Sequence, residues 1–281
     1  MFSAHKVRLN RFLAADGRCL DVAIDHGTFG EASFLGGIED IQRTVATLVE
    51  AAPDAIQLSP GQAPVLQEMP RRTPALVMRM DVGNFYGPDR PDHLFSDVME
   101  SAFERAVRFD AACVVVNFLS LPGHPELFEA SVRNVVAVRR WADQTGMPLM
   151  VEPLAMKPGD AGYGVDGDIE KIVTLVRQAV ELGADLIKAD PSDNTEDYPR
   201  AVEAAGGRPL LVRGGGLADT DWVLQRTHEL MRTGVAGLVY GRNILHHADP
   251  VGMTRALMAL THTDATIAEA RTLVSDAPRG A

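Results

Sequence analysis

In the stretch ELGADLIKADPSD, residues 181–193, a lysine ends a short apolar run. Lys188 stands two residues after Leu186, so in a strand both side chains face the same way. Burial disfavours an ammonium, and a neutral amine attacks a ketone to form a Schiff base. The competing reading is a lysine held by a carboxylate such as Asp190 or Asp25. Five more polar residues interrupt apolar runs in the same manner: Asp25, Arg79, Asn117, Glu152 and Arg213. Glu152, followed by Pro153, has the chemistry of a proton shuttle; position alone allows equally an ion pair with Lys188 or Arg213. Asp25, in AIDHGTFG, either orients substrate hydroxyls or the lysine, or caps local backbone N–H groups. Its neighbour His26, with Arg79, Asn117 and Arg213, is a candidate for substrate contact. Arg79 and Asp81, in MRMDVGN, alternatively pair with each other.

Two glycine turns suggest an anion site. RGGG (213–216) and GRN (241–243) follow apolar runs, and Gly214, Gly215 and Gly241 would let backbone N–H groups approach a phosphate. Arg242 or Arg213 would add charge-assisted bonds. The alternative is a pair of tight turns into helices, with Arg242 solvated.

The elements that must carry these residues are legible as alternation. Eight strand candidates appear: 19–25, 55–59, 75–80, 112–118, 149–154, 184–189, 209–214 and 237–241. Helical patterns lie between them. The clearest starts at Asp168, where Ile169, Ile172, Val173, Val176 and Val180 form one stripe and Gly183 follows as a stop. GHPELF (123–128) reads as another helix start. Eight strands alternating with helices predict parallel βαβ units and a single (β/α)8 TIM barrel, an α/β fold. A doubly wound sheet is disfavoured, since no GxGxxG follows the first strand. One barrel domain is expected over 1–281, with an N-terminal extension of about 18 residues and a C-terminal helix. In such a barrel the six polar residues gather at the carboxyl ends of the strands, where barrel sites form. The glycine-rich segment 157–168 is expected to be a loop able to close over that site.

Composition narrows the function classes. The chain has 281 residues, 46% hydrophobic and 23% charged, with a formal net charge of −11. That balance argues against nucleic acid as a partner. No apolar run reaches the length of a membrane span, and the first residues lack the apolar core of a secretory signal. A cytoplasmic location is the expectation. Two distant cysteines, Cys19 and Cys113, give no disulfide framework, and Cys113 reads as core. The eight histidines show no zinc-binding spacing, and His246 and His247 read as surface or helix packing. No metal and no cofactor are predicted.

The ordered set AIDHGTFG, ELGADLIKADPSD, PLLVRGGG and GLVYGRNILHHADPVGMTRAL resembles the DeoC/FbaB superfamily of class I aldolases. The similar branch holds archaeal-type fructose-bisphosphate aldolase, tagatose-bisphosphate aldolase and the autoinducer-2 phosphate thiolase. The resemblance runs over most of the chain, and THTDATIAEA is similar to the family's C-terminal helix. It implies that Lys188 is the Schiff-base lysine, that Asp25 is the family's first-strand aspartate, and that Gly214, Gly215, Gly241 and Arg242 hold a substrate phosphate. Where the archaeal-type branch carries a proton-donating tyrosine on strand five, this chain has Leu154. Glu152 instead resembles the glutamate of tagatose-bisphosphate-type enzymes. Arg213 also departs from the small residue of the archaeal-type branch. The implied function is a metal-independent aldolase that cleaves a phosphorylated ketose or related keto sugar and releases dihydroxyacetone phosphate, working as a homo-oligomer. Two rivals stand beside it. One is acyl transfer to coenzyme A from a phosphorylated dicarbonyl, with His26 assisting. The other is a non-catalytic sugar-phosphate-binding barrel.

Overall fold

The structure is a computed structural model and describes residues 6–86, 94–159 and 162–275. Eight parallel strands form its centre: β1 Cys19–Ala23, β2 Ala55–Leu58, β3 Ala75–Arg79, β4 Cys113–Ser120, β5 Leu149–Gly159, β6 Leu186–Ala189, β7 Leu210–Arg213 and β8 Gly237–Tyr240. Each pairs in parallel with its neighbours in chain order, β8 returns to β1, and β4 to β5 completes the ring. The expected (β/α)8 TIM barrel is therefore what the chain forms; six strands fall within the expected ranges, β4 runs two residues past its range and β5 five.

Strand alternation sorts the apolar residues into two cores. Cys19, Ala23, Ala55, Val77, Cys113, Val115, Met150, Leu186, Leu211 and Val239 face the interior. Their in-between neighbours, such as Leu20, Ile56, Val114, Val151 and Ile187, pack against the helices. Phe12, from the helix Lys6–Phe12, is fully buried in the interior cluster. Both cysteines are free and buried.

The helices end where the sequence says they should. The one at Ile169–Glu181 is capped by Asp168, whose carboxylate accepts the N–H of Glu170. It buries Ile172, Leu175, Val176 and Ala179, while Ile169, Val173 and Val180 pack at the edge. Gly183 leaves it with φ +91°, a left-handed conformation that suits glycine. The helix from GHPELF starts at Pro125, after His124.

One element differs from expectation. Segment 157–168 is largely a β-ribbon rather than a loop; Asp160 and Ala161 lie outside the described residues. Strand β5 continues to Gly159, and Gly162–Val165 runs back antiparallel beside it, Met156 opposite Val165 and Pro158 opposite Tyr163. The glycines suggested a loop, but the ribbon is pinned at its base by Asp166 N–H on Ala155 O and at its side by Tyr163 Oη on Pro122 O. A second small ribbon, Asp81–Gly83 with Ser96–Val98, leaves the end of β3.

Candidate active site

Lys188 keeps the parity of Leu186 and points into the barrel. Its register partner on β7 is Leu211, itself an interior residue. Its side chain is 6% exposed, and the ammonium lies 3.0 Å from Glu152 Oε1 and 3.4 Å from Gln57 Oε1. A pocket opens above it, lined by Asp25, His26, Arg79, Glu152, Arg213 and the two glycine turns.

The charges are wired through Arg79, which is fully buried. Its Nε donates to Asp25 at 2.6 Å, one Nη to Glu152 at 2.6 Å, and the other to Asp81 at 3.3 Å. Arg79 is thus a clamp among carboxylates, and pairing with Asp81 is the longest of its three contacts. Gln57, on β2, donates 2.7 Å to the same Asp25 oxygen. Asp25 does not cap the short 3-10 turn that follows it. Neither Asp25 nor Asp190 is the lysine's ion-pair partner: Asp25 is held by Arg79 and Gln57, and Asp190 by Arg213 and the N–H of Ala155.

These contacts set the protonation states. Burial alone would raise the Asp25 carboxyl, but Arg79 and Lys188 outweigh it and bring the pKa to about 2. Glu152 is likewise opposed by burial and brought below the usual range by Lys188 and Arg79. Both are carboxylates at neutral pH. Burial lowers His26 to about 4, leaving a neutral imidazole whose Nδ1 is buried without a partner among the described residues.

The glycine turns form the opposite wall. Gly215 has φ +65°, and Arg242 Nη2 donates 2.9 Å to its carbonyl. The guanidinium of Arg242 also lies 4.7 Å over the Phe34 ring, so it is seated at the pocket rather than solvated. Gly241 is required by packing, because a Cβ there would stand 2.6 Å from Ala23 O and 2.7 Å from the His26 ring. Gly214 departs from the expected role in one respect: its N–H donates to Val239 O and is spent inside the fold. Gly214 still lines the pocket.

Asn117 is not gathered with the rest. It faces Glu152 in register and is buried, but it does not line the pocket, and its amide has no partner among the described residues. Position at a strand's carboxyl end put it on the candidate list; β4 runs three residues further, to Ser120.

Sequence reasoning missed four participants. Gln57 shares the parity of interior Ala55, a signal present in AIQLS. Asp21 shares the parity of Cys19 and Ala23 and is fully buried with neither oxygen paired among the described residues; burial raises its pKa to about 7. Phe34 comes from the short 3-10 helix Ala32–Leu35 and Tyr86 from a loop, with Phe29 and Phe85 packed around Tyr86, and nothing in their local sequence aims them at the mouth. Among the described residues, no group of three or more His, Cys, Asp or Glu side chains is placed to hold a metal. No described helix is long and apolar enough to cross a membrane.

Comparison with known proteins adds a lineage. Residues 19–247 match the family model described as DeoC/LacD family aldolase. The chain is 32% identical over 260 residues to 2-amino-3,7-dideoxy-D-threo-hept-6-ulosonate synthase of Halobacterium salinarum, covering 92% of this chain and 91% of that protein. It is 28% identical over 260 residues to an uncharacterized aldolase of Saccharolobus solfataricus, covering 90% and 93%. Among solved structures, an archaeal fructose-1,6-bisphosphate aldolase with its catalytic lysine bound to a carbinolamine intermediate superposes with a TM-score of 0.74. That alignment has 21% identity and covers 91% of this chain and 98% of the other, a likeness of fold.

Proposed function

The chain belongs to the DeoC/LacD family of aldolases, and from that premise we propose a metal-independent class I aldolase in which Lys188 is the nucleophile. The observation that carries this reading is the amine of Lys188 beneath an open pocket, 3.0 Å from an ionised Glu152. The lysine must lose a proton before it attacks, and Glu152 is the nearest acceptor. The amine adds to the substrate ketone, and loss of water from the carbinolamine leaves an iminium ion. Glu152 then takes the proton of the hydroxyl one carbon beyond the enamine carbon. The C–C bond breaks, its electrons flow to the iminium, and aldehyde and enamine result. Asp25, held by Arg79 and Gln57, orients substrate hydroxyls.

For the substrate we propose a phosphorylated ketose with dihydroxyacetone phosphate as the ketone half. The phosphate would sit against Gly215, Gly241 and Arg242, with Gly214 shaping the floor and Arg213 and His26 at the side. A fixed anion there would hold the carbon chain against the lysine. We further propose a homo-oligomer in the cytoplasm, on the resemblance alone.

The Halobacterium relative favours a second reading of both halves, its 7-deoxy ketone end carrying no phosphate. Its name describes a seven-carbon chain with a ketone at C6, a hydroxyl at C4 and an amino acid end. A Schiff base at C6 makes or breaks the C4–C5 bond, so the aldehyde half of such a compound is an amino acid semialdehyde. Borohydride reduction in the presence of ketose phosphates, followed by peptide mass spectrometry, tests the shared mechanism. The expected adduct is on Lys188; no adduct, or one elsewhere, removes the nucleophile. Turnover against sugar aldehydes and amino acid semialdehydes, with EDTA present, separates the two acceptors.

A further inference from the structure

Aldol cleavage through an iminium leaves an enamine whose carbon must then be protonated, so it needs an acid as well as a base, and one proton-bearing group of the pocket has no role assigned above. Its titratable lining is Asp25, His26, Arg79, Tyr86, Glu152, Lys188, Arg213 and Arg242. Asp25 is ionised, and Glu152, ionised at rest, already has a role as the base that receives the substrate hydroxyl's proton. His26 is a neutral imidazole. Arg79 and Arg213 are held charged by carboxylates, and Arg242 is a guanidinium committed to the carbonyl of Gly215 at the proposed phosphate site. Lys188 is consumed as the iminium. Tyr86 remains: burial raises its phenol above the ordinary value, so the proton is present at neutral pH.

Its geometry is more telling than its acidity. Tyr86 leaves the barrel after β3, from the loop beyond Asp81–Gly83, yet its hydroxyl is met by Arg213 of β7 at 3.5 Å. The side chain therefore spans the mouth. Its ring is wedged by Phe29, Phe34 and Phe85, with centroids 5.6, 5.1 and 4.8 Å away, which fixes where the hydroxyl lies. Arg213 donates to the phenolic oxygen, and among the described residues the O–H itself reaches no acceptor. A hydroxyl with its oxygen against a guanidinium and its proton uncommitted is arranged to release that proton and stabilise the anion left behind.

Resting on the aldolase reading above, we propose that Tyr86 is the acid that reprotonates the enamine carbon. The carbon takes the Tyr86 proton and the enamine returns to an iminium, leaving a tyrosinate against Arg213. Water hydrolyses the iminium and releases ketone and the protonated lysine. The proton that Glu152 took from the substrate hydroxyl then restores Tyr86. No outside acid is needed, and both groups end the turnover as they began.

The test uses Tyr86→Phe, which keeps the wedged ring, with dihydroxyacetone phosphate as the probe. Two readouts are taken on wild type and variant: the borohydride adduct on Lys188, and exchange of the probe's α-hydrogen with D2O. The expected result is an undiminished adduct in both proteins, with exchange slowed by about a hundredfold or more, in the range of a lost general acid. An adduct in both with exchange within about threefold overturns the role of Tyr86 and leaves the aldolase reading standing. Loss of the adduct in the variant alone makes Tyr86 a binding residue and also overturns it. No adduct in wild type removes the aldolase reading itself, and the inference with it.

Discussion

At the closed end of the barrel the interior is filled by Phe12, Cys19, Cys113 and Leu186, without a charge among them. Further along the same strands, on the same faces, stand Asp25, Arg79, Glu152, Lys188 and Arg213. The backbone rule is identical at both ends, since alternation aims every second residue inward. What differs is company. Each buried charge at the mouth has an opposite charge within bonding distance, and Arg79 alone neutralises carboxylates on three different segments. A buried charge is tolerated where its partners are fixed in place, and the mouth is the end where loops and strand termini supply such partners. Asp21 marks the boundary. It faces the interior between Cys19 and Ala23, opposite Ala55 and Val239, and has no partner among the described residues.

The largest expected effect breaks the mouth's chemistry outright. Lys188→Arg keeps a cation beside Glu152 but cannot form a Schiff base. Turnover should fall by at least about a thousandfold, the borohydride adduct should vanish, and the melting temperature should move little; retained turnover would contradict the proposed nucleophile. Arg79→Met tests whether the mouth depends on its charge network. It takes the shared cation away from Asp25, Glu152 and Asp81 in a buried site, and urea unfolding should report a loss of about 3–5 kcal/mol, with activity lost as well. A loss below about 1 kcal/mol would mean that water screens these groups and the network is not buried in effect.

Asp21→Asn probes the boundary, and its sign is opposite. The folded pKa of about 7 lies above the ordinary carboxylate value of 3.8. Below the unfolded value both states are protonated and the side chain costs nothing. As pH rises from about 4 to about 7 the unfolded state ionises first, so wild-type stability falls, and above that the penalty is constant. The variant should match wild type near pH 4 and be more stable near pH 8, on the order of a few kcal/mol. Equal melting temperatures at pH 8 would mean that Asp21 has a partner in solution.

The smallest effect lies far from the pocket. His262 bridges Asp16 at 2.9 Å and Asp54 at 2.8 Å, and Asp54 also accepts the N–H of Leu20 at the start of β1. The hydrogen bond to Asp54 leads the causes that raise the His262 pKa above 6.5. A raised histidine contributes fully below its unfolded pKa and loses that contribution as pH climbs through the folded one. His262→Gln should therefore cost about 1 kcal/mol at pH 6, with the gap narrowing by pH 9. Thermal melts at the two pH values read it, and a gap that widens with pH would refute the bridge.

Much of this was legible before folding. Repeated apolar runs and capped helices specified the barrel, because burial periodicity is a local property of the chain. Parity with Leu186 aimed Lys188 inward, and position at strand ends collected Asp25, Arg79, Glu152 and Arg213 for the same reason. The glycines of 157–168 misled, since a ribbon tolerates glycine when a partner strand supplies the hydrogen bonds. Asn117 was collected by the same strand-end rule and lies opposite Glu152 in register, yet it does not line the pocket.

What the chain alone determined is which residues face the barrel axis; that follows from a two-residue period. Which residues meet across the axis was decided only by closure. Lys188 meets Gln57 across 131 positions of sequence, Arg79 selects its three carboxylates, and Tyr86 crosses from the third strand to Arg213 on the seventh. The physical reason is range: alternation acts between neighbours along a strand, whereas ion pairing and proton transfer depend on distances that exist only once the first strand has found the last.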